Sequence, residues 1–538
     1  MSFPPVQRGD TERRTLPLGI QSFGPMRQDG HYYVDKTPHI ERLVRRASRY
    51  FLSRPRRFGK SLLIDTLAEL FRGSEELFRG LAIHDRWDWS VRRPVVRLDF
   101  ASGVFSTPER LEHEVVAQLN DQVRQAGLGM AEGFDPRVDG AAPPLLRRLM
   151  RSLRERTGRR VAVLVDEYDK PIVDNLESPE VARANRDFLS GLYGTFKSCD
   201  AHIRFLLLTG VTKFSKVNLF SGLNNLEDIT LDPRFATICG YTQEELDTVF
   251  EPELDTPELK PLDPSKIKDW YNGYRWLGEP VYNPYDVLLL LRTRKFQTHW
   301  FNTGTPRFLL DVLERRGVTS FDLDGIETDE SLLSAFDVDH IGTEALLWQT
   351  GYLTIVGADE DEEGEEIFRL GYPNLEVRRS LNRHLLGRMT GRRGDPGAAF
   401  WRGIVRALRT GDAAGVDSEL RALFAGIPHE WHTKSRMARY EGYYASVFYA
   451  YLHGTGLDVR AEESSAAGRA DIAVVLEDSA WVFELKIDER ASEGAALAQL
   501  QERGYADRHR RGGRKVHLVG IHFSEASRTV TAFEMAEE

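Results

Sequence analysis

The chain has 538 residues, of which 41% are hydrophobic and 29% are charged, and its formal net charge is −10. This length exceeds what one hydrophobic core supports, and the composition is that of a soluble globular protein, so we expect about two to four domains. We expect no membrane span, because no apolar run reaches about 18 residues. The negative charge excludes a surface that is basic throughout.

The N-terminus and the cysteines indicate the compartment. Residues 1–5 lack the charged-then-apolar pattern of a secretory signal. Only two cysteines are present, Cys199 and Cys239, which is typical of a reducing compartment and makes neither a disulfide framework nor a zinc cluster. We therefore expect a cytoplasmic protein that does not contact a membrane.

The first candidate site lies between a predicted strand, Arg49–Ser53, and a predicted helix over 60–72. The segment between them ends as a P-loop does, in Gly59, Lys60 and Ser61, although Arg54 stands where the first glycine belongs. Amides at a helix N-terminus favour a polyanion. Lys60 would pair with the β- and γ-phosphates of a nucleotide and Ser61 would ligate Mg²⁺. The expected nucleotide-binding residues are Arg57, Phe58, Gly59, Lys60, Ser61 and Leu62.

Three further apolar runs predict a parallel sheet around this loop: Val95–Leu98, Val161–Val165 and Arg204–Leu208. Helical segments between them favour βαβ units and a doubly wound α/β sheet. The second run ends in Asp166 and Glu167. We expect Asp166 to hold Mg²⁺, Glu167 to polarise the attacking water, and Thr209 to sense the γ-phosphate. Arg54 would either reshape the loop or add a cation.

The middle of the chain predicts a helical lid and a winged-helix-like region. A threonine cap begins a helix within 241–246. Gly351–Val356 and Ile367–Leu370 predict a hairpin whose acidic loop is a solvated tip. The segment 390–397 is rich in Gly, Pro and charge and is the best candidate linker. We therefore expect three domains, over 1–234, 235–390 and 398–538.

The second candidate site lies on two predicted strands near the C-terminus. Glu484 and Lys486 share one strand face, because alternate side chains point the same way, whereas Leu485 points into a core. Charged groups on an apolar strand are costly unless they bind something. Asp471 on the preceding strand and Glu484 would hold Mg²⁺ or Mn²⁺. The metal would activate water, and Lys486 would orient it or stabilise the developing charge.

Arginine-rich segments are candidate contacts for nucleic acid, because binding needs only a local basic stripe. One cluster lies over 503–515 and another comprises Arg54, Arg56 and Arg57. Arg469, two residues before Asp471, would contact phosphate. The alternative is that arginine is simply frequent in this chain.

The motifs resemble those of the bacterial AAA-ATPase-like family. The similarity spans nearly the whole chain and is carried by the two sites together with the following segments: 31–37, 165–171, 209–215, 270–274, 282–284, 349–354 and 371–374. In that family an ATPase-like region precedes a nuclease-like domain of the PD-(D/E)xK superfamily. The resemblance implies an ATP-binding P-loop domain, a C-terminal α/β nuclease-like domain and assembly into a homo-oligomer. The family also lacks the first P-loop glycine, so Arg54 is not peculiar to this chain.

The resemblance adds two candidate residues to the second site. Glu441 resembles the acid that many such folds supply from their first helix, and would be a further metal ligand. Gln499 and Tyr505 resemble a Gln-x5-Tyr signature. Since six residues turn a helix by about 600°, these two do not share a face. We expect Gln499 in the site and Tyr505 in packing.

The sequence thus predicts a cytoplasmic bacterial enzyme in which ATP binding or hydrolysis gates metal-dependent cleavage of nucleic acid, with DNA as the expected substrate. Defence against foreign DNA or mobile-element biology would be its setting. One alternative is an ATP-dependent switch or scaffold whose nuclease fold binds nucleic acid or a partner without cutting. Another is a nuclease whose P-loop domain is only structural.

Overall fold

The computed structural model describes residues 13–46, 48–129, 141–213, 219, 223, 225–254, 259–299, 307–316, 318–323, 325–333, 342–360, 362–391, 398–427, 441–461, 472–488, 492, 494–502, 513–524, 526–527 and 529–537. Internal contacts divide the chain into two compact units, Met1–His299 with Glu327–Asn374, and Trp300–Ile326 with Leu375–Glu538. The three-domain division stays a prediction. Over these ranges, no helix is long and apolar enough to cross a bilayer.

The strands form three sheets. In chain order they are β1 (Arg49–Ser53), β2 (Val95–Asp99), β3 (Val161–Asp166), β4 (Ile203–Gly210), β5 (Glu227–Asp228), β6 (Ile326–Asp329), β7 (Thr354–Glu360), β8 (Glu366–Gly371), β9 (Asp458–Ala461), β10 (Ile472–Val475), β11 (Ser479–Ile487), β12 (Lys515–Ser524) and β13 (Thr529–Glu537).

The α-helices described are α1 (Phe23–Gln28), α2 (Thr37–Arg46), α3 (Lys60–Arg72), α4 (Glu75–Phe78), α5 (Pro108–Gln125), α6 (Ala142–Thr157), α7 (Lys170–Val173), α8 (Pro179–Ser198), α9 (Gln243–Val249), α10 (Glu251–Leu254), α11 (Pro264–Tyr271), α12 (Pro284–Thr293), α13 (Arg307–Arg315), α14 (Glu330–Leu333), α15 (Thr343–Gln349), α16 (Leu375–Met389), α17 (Ala398–Thr410), α18 (Ala413–Ala425), α19 (Glu441–Thr455) and α20 (Ala495–Glu502).

The first unit is built on a parallel five-stranded sheet with the order β2-β3-β4-β1-β5. The chain leaves β1, forms β2 and β3 away from it, and returns with β4 between β3 and β1. Every residue of β3 is buried, as expected for a strand covered on both faces. The carboxyl ends of β1, β3 and β4 therefore meet at one edge, where an α/β sheet binds its ligands. The predicted parallel α/β sheet is confirmed.

The rest of the first unit contains a smaller sheet with the order β6-β8-β7. Strands β7 and β8 form the antiparallel hairpin predicted from the sequence, with the acidic tip between them. The predicted threonine cap is also confirmed, because the Thr242 hydroxyl accepts from the Glu245 amide and the Glu245 carboxylate accepts from the Thr242 amide. This reciprocal capping box fixes the start of α9.

The second unit contains a mixed sheet with the order β13-β12-β11-β10-β9, in which β11 runs antiparallel to β10 and parallel to β12. One face packs on α17, α18 and α19 through a large apolar core that includes Phe483, Leu485 and Ile521. The opposite face carries Val482 and Leu518 beneath Leu500 of α20. Helix α17 ends before Gly411, which takes φ +72°, and Asp412 caps the start of α18.

Candidate functional site

The P-loop segment joins β1 to α3 at the carboxyl edge of the parallel sheet. Gly59 is the N-cap of α3 with φ +94°, a left-handed conformation that favours glycine. Lys60 and Ser61 are consequently the first two residues of the helix, where backbone amides lack intrahelical acceptors. The sequence-predicted strand, turn and helix are therefore all in place.

Lys60 holds this loop to the end of β3. Its ammonium donates to the carbonyl oxygens of Arg54 and Pro55 at 3.0 and 3.1 Å and lies 3.2 Å from a Glu167 carboxylate oxygen. The residue is only 3% exposed. Glu167 takes φ +52°, an uncommon conformation for a residue other than glycine, and such strain tends to cluster at functional sites.

Asp166 lies at the centre of the first site and is completely buried. Its Oδ1 accepts from the Thr209 hydroxyl at 2.8 Å. Burial raises the pKa of Asp166 and the charge of Glu167 raises it further, whereas Ser61 and Lys60 lower it. Its Oδ2 has no hydrogen-bond partner within the described residues.

A buried carboxylate oxygen without a donor, next to a serine hydroxyl, fits a hard cation such as Mg²⁺, which prefers oxygen ligands. The first site thus brings together Lys60, Ser61, Asp166, Glu167 and Thr209. Thr209 is fully buried and its hydroxyl is bonded to Asp166, so it supports this carboxylate directly. Its role as a γ-phosphate sensor stays a prediction.

Sequence reasoning missed Asp169, which anchors the segment after β4. Its carboxylate accepts from the Thr212 amide and hydroxyl, both at 2.6 Å, and from the Val211 amide at 3.1 Å. Burial and the charge of Glu167 raise its pKa to about 6. A Cβ on Gly210 would lie 2.3 Å from this carboxylate, so only glycine fits there. The signal for Asp169 in the sequence was that it is a third acid shortly after Asp166 and Glu167.

Arg54 points away from the phosphate-binding loop. Its guanidinium donates to the carbonyl oxygens of Ser53, Thr230 and Phe235 at 2.8–3.1 Å and lies 4.2 Å from the ring centroid of Trp276. The side chain is completely buried, which lowers its pKa to about 10. Of the two expected effects, an added cation for phosphate is therefore wrong. Arg54 instead stabilises the start of the loop through its bonds to these three carbonyl oxygens.

Arg54→Gly would restore the sequence pattern of a P-loop but is expected to destabilise the protein by roughly 3 kcal/mol. The change removes the Arg54 donors from three buried carbonyl oxygens, although that of Phe235 also accepts from the Ile238 amide at 3.2 Å. Each buried acceptor left without a donor costs about 1–3 kcal/mol before relaxation. Chemical denaturation followed by fluorescence measures the free energy of unfolding. The matched control is Arg56→Gly, since Arg56 is partly exposed and lies 3.7 Å from Asp174. Equal stability of the two variants would contradict a supporting role for Arg54.

Aromatic side chains cover the loop on one side. The ring of Phe58 packs edge-on against Tyr274 and Trp276, with centroids 4.8 and 5.4 Å away. The Arg57 guanidinium lies 3.7 Å from the centroid of Tyr285. Phe58 is 1% exposed, so this side chain serves packing. Nucleotide contacts from Arg57 and Phe58 stay predictions.

A cavity that the sequence did not indicate adjoins Gly59 and Leu62. Its other walls come mainly from residues of the 31–37 motif and from the segment before α9: Tyr32, Tyr33, Val34, Ile238, Cys239 and Tyr241. Lys36 also lines it, but its ammonium donates to both Glu245 carboxylate oxygens at 2.7 Å and to the Thr237 carbonyl oxygen. The cavity is therefore apolar and its one lysine is neutralised.

The second candidate site is formed by β11 and α20 in the other unit. Glu484 is 1% exposed, and its Oε1 accepts from the Lys486 ammonium at 2.7 Å and from the Gln499 amide at 2.8 Å. The expected proximity of these three side chains is therefore observed. The other carboxylate oxygen, Oε2, is buried without a hydrogen-bond partner in the part of the chain that the structure describes. This unpaired oxygen fits a divalent metal in the same way as that of Asp166.

The remaining predicted members of the second site are not located. Asp471, Arg469 and Tyr505 lie outside the described residues, and Glu441 begins α19 while its side chain is not described. Among the described residues no group of three metal-ligating side chains is found. The metal set of Asp471, Glu484 and Glu441 therefore stays a prediction.

Two residues that the sequence did not single out lie on the same sheet face as Glu484. Lys486 pairs with His522 across β11 and β12, so both side chains point to one side. The Nδ1 atom of His522 lies 3.3 Å from the Asp488 carboxylate. The site face of the sheet therefore also carries the Asp488 carboxylate and the His522 imidazole, outside the Glu-x-Lys motif.

The two arginine clusters are not free basic patches where they are described. The guanidinium groups of Arg54 and Arg57 lie over aromatic rings, and Arg56 lies beside Asp174. In the C-terminal cluster, Arg514 donates to the Leu476 and Glu477 carbonyl oxygens and Lys515 pairs with Glu537 at 2.7 Å. The other arginines of that cluster lie outside the described residues.

Comparisons with known proteins match both halves of the chain. Residues 17–220 match the family described as "Predicted AAA-ATPase", and residues 439–533 match the PD-(D/E)XK nuclease superfamily. A protein of Azotobacter chroococcum mcd 1, described as an uncharacterized protein in the vnfD 5′ region, is 47% identical over 524 residues, covering 97% of this chain and 98% of that protein. No solved structure matches the chain.

Proposed function

Since this chain belongs to the family that joins a predicted AAA-ATPase region to a PD-(D/E)XK nuclease superfamily domain, we propose that it couples ATP binding and hydrolysis to metal-dependent cleavage of DNA. The observation that carries the proposal is that, among the residues that the structure describes, each unit contains a buried carboxylate oxygen without a donor, at Asp166 and at Glu484, with a lysine nearby. Defence against foreign DNA is the setting that we propose.

In the first unit, the triphosphate would lie on the amide groups at the start of α3. Lys60 would exchange its loop carbonyl acceptors for phosphate oxygens, since an ammonium gains more from an anion than from a neutral acceptor. Asp166 and Ser61 would hold Mg²⁺, which supplies charge neutralisation on the phosphates when bound. Glu167, released from Lys60, would accept a proton from the attacking water.

The base of the nucleotide would occupy the apolar cavity beside Gly59. Its walls of Tyr33, Val34 and Leu62 offer stacking and apolar contact to a neutral aromatic ring. Because Glu245 neutralises Lys36, the cavity does not compete with α3 for the phosphates. This arrangement supports binding of a whole nucleotide rather than of free phosphate.

In the second unit, Glu484 and Asp471 would hold Mg²⁺ or Mn²⁺, which supplies an activated water and charge neutralisation at the scissile phosphate when bound. Gln499 fixes the Glu484 carboxylate through Oε1, so that Oε2 is the oxygen left for a cation. Lys486, whose side chain is 22% exposed, would turn from Glu484 towards the phosphate. Its positive charge would stabilise the additional negative charge of the transition state.

The direct test is incubation of the purified full chain with plasmid DNA and Mg²⁺ or Mn²⁺, with and without ATP. We expect nicked or linear DNA that depends on the metal and whose yield changes with ATP. Intact plasmid under every condition would overturn the nuclease proposal. Binding of ATP, seen as a rise in melting temperature, together with intact plasmid would instead favour a switch or scaffold that does not cut.

A further inference from the structure

The amino ends of three neighbouring strands in the first unit carry several arginines. Because β2 pairs with β3 and β3 pairs with β4 in parallel, the residues that precede these strands lie along one edge of the sheet. Arg93 precedes β2, Arg159 and Arg160 precede β3, and Arg204 is the second residue of β4. This edge is opposite to the carboxyl edge that holds Asp166.

Helix α6 extends this group of arginines. Arg151 and Arg154 are three positions apart and so lie on one side of the helix, whose opposite side is buried in the unit. The Arg154 guanidinium donates to the Ala201 carbonyl oxygen at 2.6 Å in the turn that leads into β4. The helix therefore presents its arginines beside the same strand ends. We call the group the basic edge: Arg93, Arg151, Arg154, Arg159, Arg160 and Arg204.

The positive charges of the basic edge are close enough to oppose one another. Burial lowers the pKa of Arg93, and the charges of Arg204, Arg159 and Arg160 lower it further. Burial lowers the pKa of His202, and the charges of Arg154 and Arg151 lower it further, while Glu155 raises it.

Ion pairs do not relieve this repulsion within the residues that the structure describes. Arg93, Arg151, Arg154, Arg159, Arg160 and Arg204 form none there, whereas nearby Arg49 pairs with Asp200 and Arg97 pairs with Asp65. Concentrated positive charge that a protein of net charge −10 leaves unpaired attracts a polyanion.

We propose that the basic edge binds the phosphate backbone of duplex DNA. Arginine suits this ligand, because its planar guanidinium donates two hydrogen bonds to one phosphate. With strands about 4.8 Å apart, the edge from β2 to β4 spans roughly 10 Å before α6 is added. A duplex carries one charge per about 1.7 Å of axis, so such an edge faces several phosphates. Contacts of this kind position DNA without reading its bases.

Binding at this edge is independent of the proposed cleavage, so its test needs neither metal nor turnover. The full chain is titrated onto a short fluorescent DNA duplex in EDTA, and anisotropy is followed between about 50 and 200 mM salt. The variant Arg151→Gln/Arg159→Gln/Arg160→Gln changes three exposed side chains and should fold normally. We expect roughly tenfold weaker binding at low salt, and a slope of log K against log salt that is reduced by about 2–3.

The matched control is Arg79→Gln/Arg110→Gln/Arg234→Gln, which removes the same number of charges from other parts of the unit. Each of these arginines is exposed and already bonded to a neighbouring side chain: Glu76, Ser106 and Asp232. Equal affinity and equal salt slope for the two triple variants would overturn the proposal.

The competing partner is the acidic hairpin of a second copy of the chain. If the basic-edge variant dissociates a homo-oligomer in light scattering but binds DNA like the control, the edge is an interface between copies and the proposal is wrong. The titration in EDTA contains no metal and involves no cleavage. The outcome at the basic edge is thereby separated from failure of the nuclease proposal.

Discussion

Lys486→Ala is expected to lower the rate of DNA cleavage by roughly 100- to 1000-fold, the usual cost of losing one group that stabilises charge in a transition state. The ammonium lies 2.7 Å from Glu484, next to the oxygen that is free to bind a cation. No other described ammonium is bonded to this carboxylate. Quantifying supercoiled plasmid on gels over time, at saturating Mn²⁺, measures the rate.

The matched control for this prediction is Lys515→Ala, on the neighbouring strand β12. Lys515 is about half exposed and pairs with Glu537, so its loss should leave cleavage within about twofold of the wild type, as for most surface ion pairs. Unchanged cleavage by Lys486→Ala would remove this residue from the reaction.

Glu484→Gln should bind Mn²⁺ at least about 100-fold more weakly in calorimetry, because it loses the charged ligand.

Asp166→Ala is expected to lower ATP hydrolysis by roughly 100-fold or more, because it removes the carboxylate proposed to hold Mg²⁺ on the phosphates. The change also deprives the Thr209 hydroxyl of this acceptor. Phosphate release at saturating ATP and Mg²⁺ gives the turnover rate. Melting temperature measured in parallel separates lost activity from lost folding.

Asp121→Ala serves as the control for Asp166, since it is an exposed acid of the same unit that pairs with Arg124 on α5. We expect its turnover to match that of the wild type. A folded Asp166→Ala variant with undiminished turnover would show that this carboxylate does not hold the catalytic ion. The first unit would then resemble a nucleotide-binding fold without hydrolysis.

Local pattern was sufficient to predict the elements that carry both sites. The run Val161–Val165 is apolar at every position, and such a run between helical segments is typical of a strand covered on both faces. Glu484 and Lys486 alternate with core residues, and this period of two fixed which face they share. The spacing of Gln499 from the strand was not decisive alone, and its 2.8 Å bond to Glu484 agrees with the expectation from the family signature.

The features that escaped prediction depend on contacts between distant segments. Arg54 is directed by Thr230, Phe235 and Trp276, which are more than 170 residues away in the chain. The cavity beside Gly59 exists because the segment 32–36 and the segment before α9 converge on α3. The convergence of the arginines at the basic edge likewise follows from strand order, since Arg93, Arg160 and Arg204 are far apart in sequence. The periodicity of residue types within one segment does not predict such contacts between distant segments.

The central claim is that nucleotide at the first site controls cleavage at the second, and Lys60→Ala tests it most directly. Plasmid cleavage is measured for wild type and Lys60→Ala at saturating Mg²⁺, each with and without ATP. Coupling predicts that ATP changes the rate of the wild type and leaves the rate of Lys60→Ala unchanged. Equal rates for both proteins, with and without ATP, would contradict it.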